Sequence, residues 1–325
     1  MQSSPSSPTL RIGTRGSPLA LAQARLLLRA IAAANPIPPE TIALEVIRTT
    51  GDMIRDRPLA ELGGKGLFTK EIEEALLTGA IDAAVHSAKD METALPEGLA
   101  IAATLRREDA RDAFVSRDGT TLRQLLSGSR VGTASLRRQA LVKRLRADLV
   151  VVPLRGNVET RLRKLEAGEV DAILLALAGL KRLGRADVAT AVLDVDEFPP
   201  AVGQGVIAVE ARLDDARTRA LLERVNHAET ASALVAERAF LAALDGSCRT
   251  PIGGHATVQS GRIELRGLIA KPDGSEVHQC VHTGPVSEAA AVGRAAGNEL
   301  KERAGADFFR QLPSARAEHG TGGVP

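Results

Sequence analysis

Apolar positions along this chain follow two spacings, a strand-like alternation and a helix-like i, i+3, i+4 recurrence, and the two take turns. Thr9–Thr14 reads as a first strand. Gly16-Ser17-Pro18 then supplies a turn, an N-cap and a proline at the first helical position, so a helix is expected over Leu19–Ala34. Ile42–Arg48 alternates like a strand, Thr69–Leu77 is helical, and Ile81–Val85 is a short buried strand. After Leu99–Thr104 the rhythm restarts. Strands at Ala113–Ser116, Arg130–Gly132, Leu149–Pro153 and Val170–Leu175 alternate with helices at Ser135–Arg146 and Asn157–Ala167. Such alternation implies parallel sheets joined by crossover helices. Two blocks of it in succession imply two α/β domains facing a cleft.

A Pro-Pro break precedes Ala201–Glu210, a strand that can return to the first domain as an added member. From Ala228 the character changes. A long helix to about Leu244 precedes hairpin-like strands at Arg262–Ala270 and Glu276–Thr283, separated by Pro272-Asp273-Gly274, and a final helix starts near Glu288. This reads as a small third domain of α+β type. Met1–Pro8 and His319–Pro325 read as loose tails.

Composition narrows the functional classes. At 325 residues the chain is long enough for two or three compact units. Its 42 Lys and Arg nearly balance 40 Asp and Glu, so the surface is not a polycation suited to nucleic acid. Six Phe without any Tyr or Trp leave almost no stacking platform for single strands. Two cysteines, Cys248 and Cys280, do not make a disulfide framework. With no signal peptide or membrane-spanning apolar run in the sequence, a cytoplasmic protein is expected.

The arginines carry the chemistry. Arg137 and Arg138 in Gly132-Thr-Ala-Ser-Leu-Arg-Arg138, and Arg155 and Arg161 in Leu154-Arg-Gly-Asn-Val-Glu-Thr-Arg161, fall where a strand gives way to a cap and a helix. Arg15-Gly16-Ser17 occupies the equivalent place in the first block. Guanidinium forks and helix-start amides gathered at one sheet end suit small carboxylates or phosphates, although salt bridges to the many acids would absorb some of them. His86-Ser-Ala-Lys-Asp90 follows a buried strand, so Lys89 and Asp90 belong at the strand's carboxyl end, where open α/β sheets bind ligands. A buried salt bridge is the plainer alternative for that pair. Leu62-Gly-Gly-Lys-Gly-Leu-Phe68 does not have phosphate-loop spacing and reads better as a basic lid, with Lys65 and Phe68 on it. Cys248 lies in Asp245-Gly-Ser-Cys-Arg249, a tight loop beside a cation, which favours thiolate chemistry, whereas Cys280 fits an inert strand position. The histidines show no metal-ligand spacing, so no metal is expected.

Taken together these segments resemble the porphobilinogen deaminase (hydroxymethylbilane synthase) family. The matching pieces are Ile12-Gly-Thr-Arg-Gly-Ser-Pro-Leu-Ala20, Gly63-Gly-Lys-Gly-Leu-Phe68, Val85-His-Ser-Ala-Lys-Asp90 and Arg107-Glu-Asp-Ala-Arg-Asp-Ala-Phe114. Val131-Gly-Thr-Ala-Ser-Leu-Arg-Arg138, Leu154-Arg-Gly-Asn157, Pro200-Ala-Val-Gly-Gln-Gly205 and Gly246-Ser-Cys248 complete the series. Met91-Glu92 after Asp90 and Gly246-Ser247 before Cys248 depart from the family's usual residues.

The resemblance implies an α/β fold of three domains. Two are α/β domains like those of periplasmic binding proteins, placed around a cleft, and the third is a smaller α+β C-terminal domain. The expected boundaries are 9–105 with 201–224, then 106–200, then 225–318, with tails at 1–8 and 319–325. It further implies a transferase that joins four porphobilinogens head to tail with loss of ammonia, giving linear hydroxymethylbilane from a dipyrromethane cofactor bound through a thioether to Cys248. On this pattern Asp90 is catalytic. Arg15, Ser17, Lys89, Ser135, Arg137, Arg138, Arg155, Arg161 and Arg182 hold cofactor and substrate carboxylates. A monomer without nucleic-acid or membrane partners is expected. The rival expectations are a non-enzymatic anion-binding or sensing protein of the periplasmic type, which has no need of Cys248, and a nucleotide-dependent transferase using the Gly-Lys-Gly loop.

Overall fold

The computed structural model describes residues 8–53, 68–245 and 251–310. The first block begins with β1 (Leu10–Thr14), α1 (Pro18–Ala34), β2 (Ile42–Val46), the short α2 (Thr50–Met53), α3 (Lys70–Leu77), β3 (Ala83–Ser87) and β4 (Leu99–Thr104). Ser17 caps α1, its Oγ accepting from the Ala20 amide at 3.2 Å, and Pro18 stands at the first position. Ala24, Leu27 and Ile31 form the helix's buried stripe and pack with Ile12 and Val85 of the sheet.

The second block holds β5 (Asp112–Ser116), β6 (Arg130–Gly132), α4 (Leu136–Leu145), β7 (Val150–Val152), α5 (Val158–Glu166), β8 (Ala172–Ala176), α6 (Leu177–Arg182) and β9 (Ala191–Val192). The chain then returns through β10 (Ile207–Arg212) and α7 (Ala216–Glu223). The third block is α8 (Ala228–Ala243), β11 (Ile252–Gln259), β12 (Arg262–Ala270), β13 (Val277–Pro285) and α9 (Ala289–Arg310), the last interrupted at Gly305.

The two five-stranded sheets have one plan. The first runs β2-β1-β3-β10-β4 and the second β7-β6-β8-β5-β9. In each, the first three strands are parallel and the fourth is reversed. Each reversed strand follows a crossing from the other sheet: residues 105–111 lead from β4 into β5, and residues 193–206 lead from β9 into β10. The segment expected over Ala201–Glu210 thus does return to the first sheet, as Ile207–Arg212, while the parallel sheets expected from the alternation are corrected to mixed ones, because a strand arriving from the opposite sheet enters from the other end.

The two crossings lie side by side. The Leu105 amide donates to the Ile207 carbonyl at 3.1 Å, and the Glu108 amide to the Gly205 carbonyl at 3.1 Å. Gln204 Nε2 donates to the Ala110 carbonyl at 2.7 Å.

The third sheet is an antiparallel β11-β12-β13 meander covered by α8 and α9. The sequence pattern marked β12 and β13 but left β11, which contains Gly253 and Gly254, unassigned. Those glycines are there for contact: a Cβ on Gly254 would stand 2.9 Å from Val202 and 3.2 Å from Phe240. Helices α6 and α7 were also unmarked, being only 6 and 8 residues long. Leu268 and Ala270 of β12 join Phe114, Leu141 and Phe198 in the second block's core, so the third block packs directly against the second.

Candidate active site

Strand β3 is Ala83-Ala-Val-His-Ser87, its first four residues buried, and its carboxyl end delivers the single turn Ala88-Lys89-Asp90. The Gly203–Gly205 loop of the second crossing lies against this turn. Gly203 has φ +72°, and a Cβ there would come within 3.0 Å of the Ala88 and Lys89 backbone. Asp90 is exposed and Lys89 half-buried.

A small hollow beside Asp90 is lined by Arg15, Ser17, Gln23, Phe68, His86 and Ser87, among others. The Arg15 guanidinium lies over the Phe68 ring at 4.2 Å. Gln23 is 2% exposed and donates through Nε2 to Ser87 Oγ at 2.9 Å. Gln23 and Ser87 escaped the sequence reading: a glutamine on an apolar helix stripe was the available signal. Lys65 and Cys248 lie outside the described residues.

The second sheet answers from its helix starts. Ser135 caps α4, its Oγ accepting from the Arg138 amide at 3.4 Å, and Asn157 caps α5, accepting from the Thr160 amide at 2.9 Å. Arg137 and Arg138 follow the first cap but do not project into solvent, being 4% and 5% exposed. Both grip Asp112, which is fully buried: Arg137 Nη2 reaches Oδ2 at 2.8 Å and Arg138 Nη2 reaches Oδ1 at 2.6 Å. Gln204 adds a third donor to Asp112 at 2.9 Å.

These partners outweigh burial and hold the Asp112 carboxyl well below the usual carboxylate range, so it stays ionised. Part of each fork is therefore used inside the protein, as the salt-bridge alternative allowed. Arg137 Nε remains buried without a hydrogen-bond partner among the described residues. Asp112 was a further residue missed from sequence, although an acid opening the apolar run Ala113-Phe-Val115 was a signal.

Electrostatic coupling shows that the two sheet ends meet. Burial pushes Lys89 down to about 8, with Arg138 and Arg137 acting in the same sense and Asp90 and Asp112 opposing. Burial brings Arg161 to about 10, again with Arg138 and Arg155 adding and Asp90 opposing. Arg161 is held by its Nε donating to the Gly156 carbonyl at 2.8 Å.

Five cations (Lys89, Arg137, Arg138, Arg155 and Arg161) thus share a region with two carboxylates, Asp90 and Asp112. Among the groups that perturb Lys89 and Arg161, cations outnumber carboxylates. Arg182 stands apart from this group. Burial lowers it to about 10, its Nη2 donates to the Gly205 carbonyl at 2.6 Å, and it faces Glu108. No group of three or more His, Cys, Asp or Glu able to hold a metal occurs among the described residues. Cys280 is buried, donates weakly to the Ala296 carbonyl at 3.6 Å and is pushed up to about 11, which fits an inert thiol.

Comparisons with known proteins point to one family. A family model described as the porphobilinogen deaminase dipyromethane cofactor binding domain matches residues 10–220, and one for the porphobilinogen deaminase C-terminal domain matches residues 231–302. Porphobilinogen deaminases of Nitrobacter winogradskyi and Nitrobacter hamburgensis are each 59% identical over 316 residues, covering 97% of this chain and 100% of each relative. Among solved structures, the periplasmic aliphatic sulphonate binding protein of Escherichia coli aligns with a TM-score of 0.39 at 16% identity, over 73% of this chain and 70% of that one.

Proposed function

This chain belongs to the porphobilinogen deaminase family, and from that premise we propose how its own residues divide the work. The protein is a transferase of porphyrin biosynthesis. It joins four porphobilinogens head to tail, releasing ammonia, and yields linear hydroxymethylbilane from a covalently bound dipyrromethane primer. Full-length relatives named as enzymes set aside a purely anion-binding or sensing protein.

The observation that carries our assignment of residues is the positive excess where the two sheet ends meet. Each pyrrole brings an acetate and a propionate, so a cationic wall with a spare buried donor at Arg137 Nε suits the primer and the chain growing from it. The primer supplies the nucleophilic pyrrole end to which substrate is joined. Lys89, Arg155 and Arg161 hold carboxylates directly. Arg137 and Arg138 do so with the edges that Asp112 leaves, and Ser135 offers its hydroxyl at the same helix start. Arg15 and Ser17 bind from the first sheet, with Phe68 and Lys65 as covering groups. Arg182, which stands apart from this group, is included among the carboxylate-binding residues.

Asp90 is the one carboxylate in our set with an exposed side chain. It accepts from the pyrrole N–H of porphobilinogen and balances the positive charge that develops as ammonia departs. Cys248 is the attachment residue. We divide the chain into 9–105 with 201–224, 106–200 and 225–318. We take it to act as a cytoplasmic monomer, for which sedimentation at working concentration is the check. No helix among the described residues is long and apolar enough to cross a membrane.

Intact-protein mass spectrometry tests the reading. The native chain should carry one adduct of dipyrromethane mass, absent from Cys248→Ala. Asp90→Ala should keep the adduct and fold yet lose at least about 100-fold in turnover. A native chain that turns over without the adduct overturns the attachment, and full turnover by Asp90→Ala overturns the catalytic assignment.

A further inference from the structure

One cavity lies away from the catalytic cleft. It measures about 300 Å³ and sits between β4, an edge strand of the first sheet, and one face of α8. Ala231, Leu234, Val235 and Arg238 recur on α8 at i, i+3, i+4 and i+7, so a single helix face forms one wall. Ile101 and Ala103 of β4 form the opposite wall. Everything in the lining but Arg238, Thr104 and Asn226 is apolar.

Arg238 is unusual in its charge balance. It is half-buried, and burial lowers its pKa against the opposing pull of Glu210 and Glu92. Among the described residues no carboxylate lies within ion-pair distance of it. Glu210 is fully buried and faces His86 Nε2 at 3.2 Å instead. Arg238 Nη2 is spent on the backbone carbonyls of Glu92 and Thr93, at 2.8 Å each, and Nε and Nη1 have no acceptor among the described residues. A desolvated cation without a counter-ion is costly, and an anion that arrives there relieves the cost.

We propose that this cavity is a second, non-catalytic binding site for a small apolar monocarboxylate, its carboxylate on the free edge of Arg238 and its apolar body between α8 and β4. The volume sets the size: at about 30 Å³ for each water-sized unit it admits roughly ten heavy atoms. The charge sets the class. One cation at one end of an apolar slot matches one carboxylate, whereas porphobilinogen brings two carboxylates and an ammonium. The site borders the catalytic turn: Leu234 and Ile101 pack in one cluster with Ala88 and Met91, and Arg238 holds the carbonyls of Glu92 and Thr93, two and three positions after Asp90.

Calorimetric titration of the primer-loaded enzyme with sodium octanoate, and with octanamide as its neutral counterpart, tests the site. Octanoate should bind saturably at one equivalent, and octanamide at least about ten-fold more weakly, because the charge-assisted contact is lost. Arg238→Met should weaken octanoate at least about ten-fold. Ala231→Leu, which fills the slot and leaves the cation in place, should do the same in a folded protein. Absence of saturable heat, equal affinity for octanoate and octanamide, or unchanged octanoate binding in Ala231→Leu each overturns the proposal. So does inhibition by octanoate that competes with porphobilinogen, which would put the anion in the cleft.

Discussion

Lys89 illustrates how a residue can be legible in type and still gain its meaning only from the fold. Its place at the end of β3 followed from the buried run before it, but the neighbours that tune it come from the other sheet. Burial and two arginines bring it down to about 8, so below that pH the folded chain carries a charge it holds at a cost. The sign is clear: the unfolded chain, with an ordinary lysine at 10.5, keeps the proton between about 8 and 10.5 where the folded one has released it. In that window this residue makes the unliganded protein more stable as pH rises. Function runs the opposite way, because the ammonium that holds carboxylates is lost through the same range. Profiles of kcat/KM should therefore fall above about pH 8 with Lys89 present, and Lys89→Arg, which keeps its charge, should carry the activity to higher pH. An identical alkaline limb in both proteins would remove Lys89 from carboxylate binding. Asp112 shows the reverse case. Nothing local tells that two consecutive arginines turn inward, and the acid that draws them is 25 residues away in sequence from the first.

At the scale of elements, the helices that frame the cleft were readable because their start signals are local. Ser17, Ser135 and Asn157 each bond the amide three residues on, and those bonds need nothing from the rest of the molecule. What stayed hidden was secondary structure whose glycines serve tertiary contact, as in β11. The Gly203–Gly205 loop is of the same kind. Gly205 has φ +86°, and a Cβ there would be driven into the Glu108 carbonyl oxygen of the adjacent crossing. Gly119 has a similar φ of +79° with nothing within 4 Å, so it isolates the backbone cost alone. Gly119→Ala should cost about 1 kcal/mol, and Gly205→Ala about 2 kcal/mol beyond that, read from denaturant midpoints. Equal costs would mean that the two crossings can part to admit a methyl group. The same loop carbonyl accepts from Arg182, so the substitution should also weaken whatever Arg182 holds.

For the whole molecule, the three-part α/β plan was visible in the chain's rhythm, yet the joint that unites the parts was not. Glu237 is fully buried on α8 and takes up Arg107 Nη1 at 2.5 Å, the Gly203 amide at 2.6 Å and the Ala256 amide at 2.7 Å. One carboxylate thus ties both crossings to the third sheet. A glutamic acid on a helix surrounded by alanines offers no sequence sign of this role. Glu237→Gln leaves Arg107 without its partner charge and should cost about 3–5 kcal/mol of stability. Amide exchange along Ile252–Gln259 should rise more than along Leu10–Thr14, since the third sheet is released first. Uniform acceleration across all three sheets would deny Glu237 that joining role.

The paired crossings have a mechanical consequence. A body attached at one point can swing and spin, but a body attached by two straps laced to each other can only swing about the line through both. A hinge with one angle between the two sheets, rather than a ball-and-socket, is the motion these laced crossings favour. For a catalyst that must lengthen its product four times with one set of groups, a single coordinate means that each addition can advance the chain by the same kind of step. A wedge placed anywhere along that line would stop every later addition at once.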